Sequence, residues 1–314
     1  MNLHYDREAF HDLIVLSAAE IGIPAAAVKR DYFIVMMLQK LADSEYADQC
    51  VFKGGTSLSK CYPGSIMRFS EDIDLTFIPS DETSKKQYDK ALKNIEKIMS
   101  EGAFVEKIPE ERNDRNKSSF VWFDDEDKEN TKVKLEIGSS IRPDPFEARE
   151  LKTYIQEYLE KHFMGEVVKE YELIPIKINT LCIERTFLDK VMAVKRHAIC
   201  GSLERKVRHI YDVTVLFDRP DIQSFLGESV ELKKLLEKTK QTDSFYLEKR
   251  NVSVDYDPTG AYDFPSWEQY FGNSIRSIYE SLHEDLLYTT EKQNFDKAID
   301  TFRKLSTIFS SIGE

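Results

Sequence analysis

Lys53-Gly54-Gly55-Thr56-Ser57-Leu58-Ser59-Lys60 and, past a break at Pro63-Gly64, Arg68-Phe69-Ser70-Glu71-Asp72-Ile73-Asp74-Leu75 are the stretches that decide the fold. From Asp72 to Ile78 polar and apolar residues follow a strand pattern, which Pro79 ends. Residues two apart in a strand share a face, so Asp72 and Asp74 present two carboxylates together. Two anions side by side call for a cation. Magnesium takes oxygen ligands and commonly binds through one or two carboxylates plus substrate phosphates, so the pair suits a nucleotide-metal site. Upstream, Gly54-Gly55 lets backbone N–H groups approach a phosphate closely. If Thr56 and Ser57 open a helix, its positive end adds to that attraction. Alone, an Asp-x-Asp is usually solvated and a Gly-Gly is usually a turn; their order and spacing together describe a triphosphate cradle.

Working outward, residues 6 to 20 and 28 to 42 carry apolar side chains at helical spacing and are separated by Gly22-Ile23-Pro24, which predicts two helices and a turn. Residues 84 to 101 read as an amphipathic helix with a solvated Lys/Glu face. Phe120–Phe123 and Val133–Ile137 read as an antiparallel strand pair around the acidic turn Asp124-Asp125-Glu126-Asp127. In the second strand Glu136 projects opposite Val133, Leu135 and Ile137, so it is a third acid on a polar face. A short helix is expected over 151 to 163, and Glu172–Ile178 looks extended, with Pro175 favouring a sheet edge. From Glu184 on, the chain reads as mostly helical, with a loop at Asp255–Gly260. The expected fold class is α+β: a small mixed β-sheet with helices in residues 1–180, followed by a mainly α-helical half in 181–314 that completes a nucleotide cleft.

Composition bounds the alternatives. The chain has 314 residues, with 44 Lys and Arg against 56 Asp and Glu, a formal charge of −12 that argues against a general nucleic-acid coat protein. With 19 Phe and 15 Tyr there is ample material for a core. Tyr32–Leu38 is too short an apolar run to span a bilayer, and the first residues lack a basic and then apolar leader, so a cytoplasmic protein without membrane partners is expected. Cys50, Cys61, Cys182 and Cys200 form no CxxC pair and read as reduced thiols. The six histidines form no ligand pair, and Walker and Gly-x-Ser-x-Gly patterns are missing. Between Asp189 and His209, Lys190, Lys195, Arg196, Arg205, Lys206 and Arg208 face two acids, a local excess of +4 suited to polyphosphate or RNA backbone.

The stretches quoted at the outset resemble the first motif of the AbiEii-type nucleotidyltransferase toxins, relatives of the DNA polymerase beta-like nucleotidyltransferase superfamily. Arg30-Asp31-Tyr32-Phe33 is similar to the family's charged-Asp-aromatic start of its second helix. Glu184–Ala193 is similar to its lysine-bearing helix, and Arg208-His209-Ile210-Tyr211-Asp212 to its Arg-x-x-x-Asp motif. Two departures stand out: Asp189 precedes the helix lysine where the family often has Glu, and His209 follows Arg208 where it frequently has Asp.

The resemblance implies a metal-dependent nucleotidyltransferase that moves a nucleoside monophosphate from an NTP to an acceptor hydroxyl. In this reading Asp72, Asp74 and Glu136 hold Mg2+ or Mn2+, Gly54, Gly55, Thr56, Ser57 and Lys190 bind nucleotide, and Asp212 completes the catalytic set with Arg208 in support. It further implies the toxin of a type IV-style toxin–antitoxin pair in phage defence, with a cognate antitoxin and tRNA 3′ ends or another RNA as acceptor. Ser70 becomes a regulatory candidate, since modification there would place negative charge beside Asp72. Residues alone leave alternatives open. Asp212 could simply hold Arg208 at i, i+4 spacing. The acceptor could be a protein or a small molecule, or the fold could bind nucleotide or a partner without turnover.

Overall fold

The computed structural model describes residues 1–79, 84–139, 142–250 and 256–313, and its contacts divide the chain into two units. The first comprises Met1–Tyr62 and Phe69–Leu181, the second Pro63–Arg68 and Cys182–Glu314.

In the first unit, helix α1 (Arg7–Ile21) opens on Asp6, whose side chain accepts from Ala9 N, and closes on Gly22 at φ +77°. Pro24 then caps α2 (Ala25–Ala42), so the Gly22-Ile23-Pro24 punctuation yields the expected turn. Helix α2 is buried on most sides, from Val28 to Leu41. There follow β1 (Cys50–Lys53), α3 (Gly54–Cys61), β2 (Asp72–Phe77), α4 (Lys85–Met99), β3 (Phe104–Lys107), β4 (Asn116–Trp122), α5 (Lys128–Thr131), β5 (Val133–Gly138), β6 (Phe146–Leu151), α6 (Tyr154–Lys161), α7 (Gly165–Glu170) and β7 (Ile176–Leu181). The strands make one sheet in the order β3-β4-β5-β2-β1-β7-β6. The β2/β5 and β1/β7 pairs are parallel and the other neighbours antiparallel. Helices α2 and α4 pack on this sheet.

Alternation fixes the two faces. Ile73, Leu75, Val133, Leu135 and Ile137 are buried, whereas Asp72, Asp74, Lys134 and Glu136 are half-exposed. The parallel register pairs Asp72 with Lys134 and Asp74 with Glu136, which sets all four on the polar face.

One expectation needs correction, and two strands are additions to the sequence reading. Pro175 does not mark an edge: β7 lies between β1 and β6, and its ladder starts at Ile176, one residue after the proline, so the missing N–H interrupts nothing. The edge strands β3 and β6 escaped notice because they are largely exposed and carry little of the apolar alternation that betrays a strand.

The second unit is helical: α8 (Ile183–Ile199), α9 (Val207–Phe217), α10 (Pro220–Gly227), α11 (Ser229–Arg250), α12 (Phe264–Trp267), α13 (Asn273–Glu280), α14 (Leu282–Asp285) and α15 (Phe295–Ser311). Helix α8 packs on α9 and α11, and α15 on α9. Its aromatic core joins Tyr262, Phe264, Trp267, Phe271, Phe302 and Phe309, with Phe264 and Trp267 edge to face at 4.6 Å. Among the aromatics of the tail, Trp267, Phe271 and Tyr279 are buried, whereas Tyr270 is exposed and Tyr288 half-buried. Residues 256–260 form the expected loop, while Asp255 lies outside the described residues. The segment Pro63–Arg68 is held by a hydrogen bond from Tyr288 N to Met67 O (3.0 Å) and a β-bridge between Arg68 and Leu287. All four cysteines are free thiols. Among the described residues no single helix is long and apolar enough to cross a membrane.

Candidate active site

The strand–helix corner from β1 into α3 is shaped by one glycine. Gly54 has φ +90°, a conformation that disfavours any side chain, and an added Cβ would lie 2.3 Å from Asp74 Oδ2. The Asp74 carboxylate therefore occupies the space that glycine leaves free. The Lys53 side chain makes no cap on α3. The hydroxyls behind this corner are committed to the fold. Thr56 Oγ1 donates to Asp72 O (2.5 Å) and meets Ser70 Oγ (2.9 Å), and the fully buried Ser57 donates to Gly54 O (3.0 Å). Ser57 and Thr56 thus brace the loop, and the groups at this corner best suited to an anion are the backbone N–H groups of the first turn.

Across the sheet Glu136 is turned to Lys134, which also pairs with Glu111 (2.9 Å). Burial opposes the charge on Lys134, yet bonds to Glu111 and Glu136 raise its pKa overall. Among the described residues no three His, Cys, Asp or Glu side chains are gathered as a ready ligand group. Glu136 would have to leave Lys134 to join the two aspartates.

The Arg30-Asp31 pair acts as a brace on this corner. Asp31 is buried in α2, pairs with Lys60 of α3 at 2.7 Å and accepts from Tyr154 N at 2.8 Å. Lys60 also lies 3.9 Å above the Tyr154 ring. Burial raises the Asp31 pKa, with Lys60 opposing. Arg30 forms an ion pair with Glu71, the residue before Asp72, and donates to Glu129 O at 2.7 Å. Adjacent residues of α2 thus tie down both α3 and the start of β2.

In the second unit, Arg68 forks onto Asp212, Nε to Oδ1 at 2.6 Å and one terminal nitrogen to Oδ2 at 2.7 Å. Lys190 Nζ lies 2.8 Å from the same Oδ2. Burial would raise the Asp212 pKa, but Arg68 and Lys190 overcome it and hold the carboxyl far below the usual range. Arg208, expected to support Asp212, is exposed on α9 and makes no contact with it; Arg68 takes that place. Arg68 stands within the first motif, but the 144 residues separating it from Asp212 leave no local signal of this pairing in the sequence.

The basic strip also divides. Lys195 is buried and donates to Ala261 O (2.8 Å), and Arg196 pairs with Asp243. Both serve the helical core, which leaves Arg205, Arg208 and the half-buried Lys206 on the surface side. In the acidic turn, Lys29 bridges Asp124 (3.2 Å) and Asp127 (2.7 Å).

A family model described as "Nucleotidyl transferase AbiEii toxin, Type IV TA system" matches residues 36–302. Among solved structures the chain is similar to MenT4, a nucleotidyltransferase toxin from Mycobacterium tuberculosis. The two share 18% identity and a TM-score of 0.50, over 96% of this chain and 99% of that one, a likeness of fold. It is also similar to JHP933 from Helicobacter pylori, at 18% identity and a TM-score of 0.39 over 82% of this chain and 94% of that one. No curated protein matches the sequence.

Proposed function

Since the chain belongs to the AbiEii family of nucleotidyltransferase toxins, whose substrate is an NTP and whose type IV systems pair toxin with antitoxin, we propose that it is a metal-dependent enzyme with an RNA acceptor, such as the 3′ end of a tRNA. The observation that carries this reading is the seat made for the Asp74 carboxylate by Gly54, beside Asp72 on the same strand face.

A divalent cation bound by Asp72 and Asp74, with Glu136 as third ligand once it leaves Lys134, would supply charge neutralisation on the transferring phosphoryl group. The donor set fits: two half-exposed carboxylates two residues apart, with only oxygen atoms on offer. Backbone N–H groups of Gly54, Gly55 and Thr56 at the start of α3 bind phosphate oxygens. Glu136, once released from Lys134, accepts the proton of the attacking hydroxyl, which forms the new bond to the α-phosphorus as pyrophosphate leaves. Lys190 is a phosphate-binding cation, and Asp212 holds it in place. Phosphorylation of Ser70 would set a charge of about −1.5 to −2 against Thr56 and next to Asp72, and so repel the substrate phosphates.

The test incubates the protein with each NTP labelled at the α-phosphate, Mg2+ and whole-cell lysate, beside Asp72→Asn and Asp74→Asn. Label should enter RNA with the parent and not with either variant. Label in protein or in a small molecule would move the acceptor to that class. Transfer undiminished in both variants would remove the carboxylate site.

A further inference from the structure

Lys190 Nζ touches two acceptors, Asp212 Oδ2 at 2.8 Å and His209 Nδ1 at 3.3 Å, and among the described residues no third acceptor meets it. His209 and Asp212 are three positions apart on α9, so both reach the same side of that helix, toward Lys190 on α8. An ammonium group only donates. Nδ1 can therefore face it only with its lone pair, which puts the imidazole proton on Nε2. The charged groups around the ring agree with an uncharged imidazole. Burial comes first, then Lys190 from α8, Lys206 from the turn before α9 and Arg68 from the 63–68 segment, all of which lower its pKa, against Asp212 alone.

A neutral acceptor differs from a second carboxylate in its charge. Arg68, Lys190 and Asp212 sum to +1 in a cluster where no side chain exceeds 6% exposure. An acid at position 209 would cancel that charge, whereas histidine aims the ammonium and leaves the charge intact.

We propose that His209 is a positioning residue for Lys190: its Nδ1 accepts a hydrogen bond from one ammonium N–H while Asp212 accepts from a second, and the third N–H is presented to an anion. On the reading above, on which this inference rests, that anion is a phosphate of the nucleotide. Lys190 then offers the nucleotide one directed hydrogen bond, and the Arg68 fork stays with Asp212.

Two measurements test it. Nitrogen-15 correlation spectra of the histidine rings should show His209 as the Nε2–H tautomer, still uncharged well below the usual histidine range, with a higher pKa in Lys190→Met because one neighbouring cation is lost. A ring protonated on Nδ1 would overturn the proposal, as would a His209 signal indifferent to Lys190→Met. Calorimetry with each NTP and Mg2+ should show His209→Leu binding about tenfold more weakly, the worth of one hydrogen bond to a charged group. His209→Asn, whose Oδ1 can stand where Nδ1 stood, should bind close to the parent. His209→Leu with parental affinity would refute the positioning role. A parent protein that binds none of the four NTPs would instead refute the nucleotide reading, while the ring spectra would still decide whether His209 orders Lys190.

Discussion

A β-carbon on Gly54 would stand 2.3 Å from Asp74 Oδ2, closer than real carbon–oxygen contacts come. The φ of +90° adds backbone strain, so Gly54→Ala is penalised twice and at the site itself. It should cost about 1–3 kcal/mol of stability and abolish transfer. Gly22→Ala is the control: φ is +77° there too, but nothing lies within 4 Å and the residue ends α1. Urea unfolding should show a loss in both variants, whereas label incorporation should fail only in Gly54→Ala. Full activity in Gly54→Ala would mean that the close approach is dispensable.

Arg68 and Asp212 make acid stability a second test. The folded Asp212 carboxyl is held far below its unfolded value of about 3.9, so the unfolded chain binds more protons between the two. The stability from this pair is complete above that value and is lost as pH falls through the window beneath it. Arg68→Met leaves a buried carboxylate with Lys190 as the remaining paired cation among the described residues. It should lower stability at pH 7 by about 3–5 kcal/mol and shift the onset of acid unfolding to higher pH. Acid titrations of parent and variant that superimpose would contradict the assignment.

How far the sequence could be read follows from the range of its signals. The 53–75 stretch carried the α+β fold and the family resemblance, which the family match bears out, because strand alternation and a Gly-Gly turn act over a few residues. Register was not legible. That Lys134 stands beside Asp72, and Glu136 beside Asp74, depends on β5 pairing parallel to β2 across a long connection. The partners of charged residues were equally hidden. Arg68 meets Asp212, and Lys60 meets Asp31, only because packing brings distant helices and segments together. The basic run of α8 looked like one strip because sequence counts charge and not direction; burial turns Lys195 and Arg196 inward.

A second buried lysine beside Lys195, Lys240 of α11, gives a prediction at alkaline pH. Lys240 and Lys195, both nearly fully buried, donate to Gly260 O (2.9 Å) and Ala261 O (2.8 Å). Burial first, and Lys195 second, lower the Lys240 pKa to about 8. An unfolded lysine titrates near 10.4, so between those values the unfolded chain binds more protons and stability rises with pH. Lys240→Met should flatten that rise and add up to about 3 kcal/mol at pH 7. Denaturant midpoints at pH 7 and pH 10, parent against variant, decide it. A parent no more stable relative to the variant at pH 10 than at pH 7 would show that Lys240 carries no such penalty.

Lys134 competes with any cation for Glu136. Freeing the carboxylate by Lys134→Met should lower the Mg2+ concentration for half-maximal transfer by up to about fivefold, the worth of a half-exposed ion pair, and Glu136→Gln should raise it and slow the transfer that remains. Magnesium titrations unchanged in both variants would separate Glu136 from the metal site.

The surface arginines Arg205 and Arg208 are what remains of the basic run for an RNA acceptor. Phosphate contacts release counterions, and each one contributes about 0.7 to 0.9 to the slope of log affinity against log salt. The Arg205→Ala, Arg208→Ala double variant should therefore bind RNA more weakly and with a shallower slope by up to about 1.8, while calorimetry with NTP and Mg2+ stays at the parental value. Lys195→Ala should behave in the opposite way: its amine holds the Ala261 carbonyl inside the helical unit, so stability should fall and the salt slope should not move. A double variant that titrates with RNA and salt like the parent would take these arginines out of acceptor binding and leave nucleotide transfer untouched.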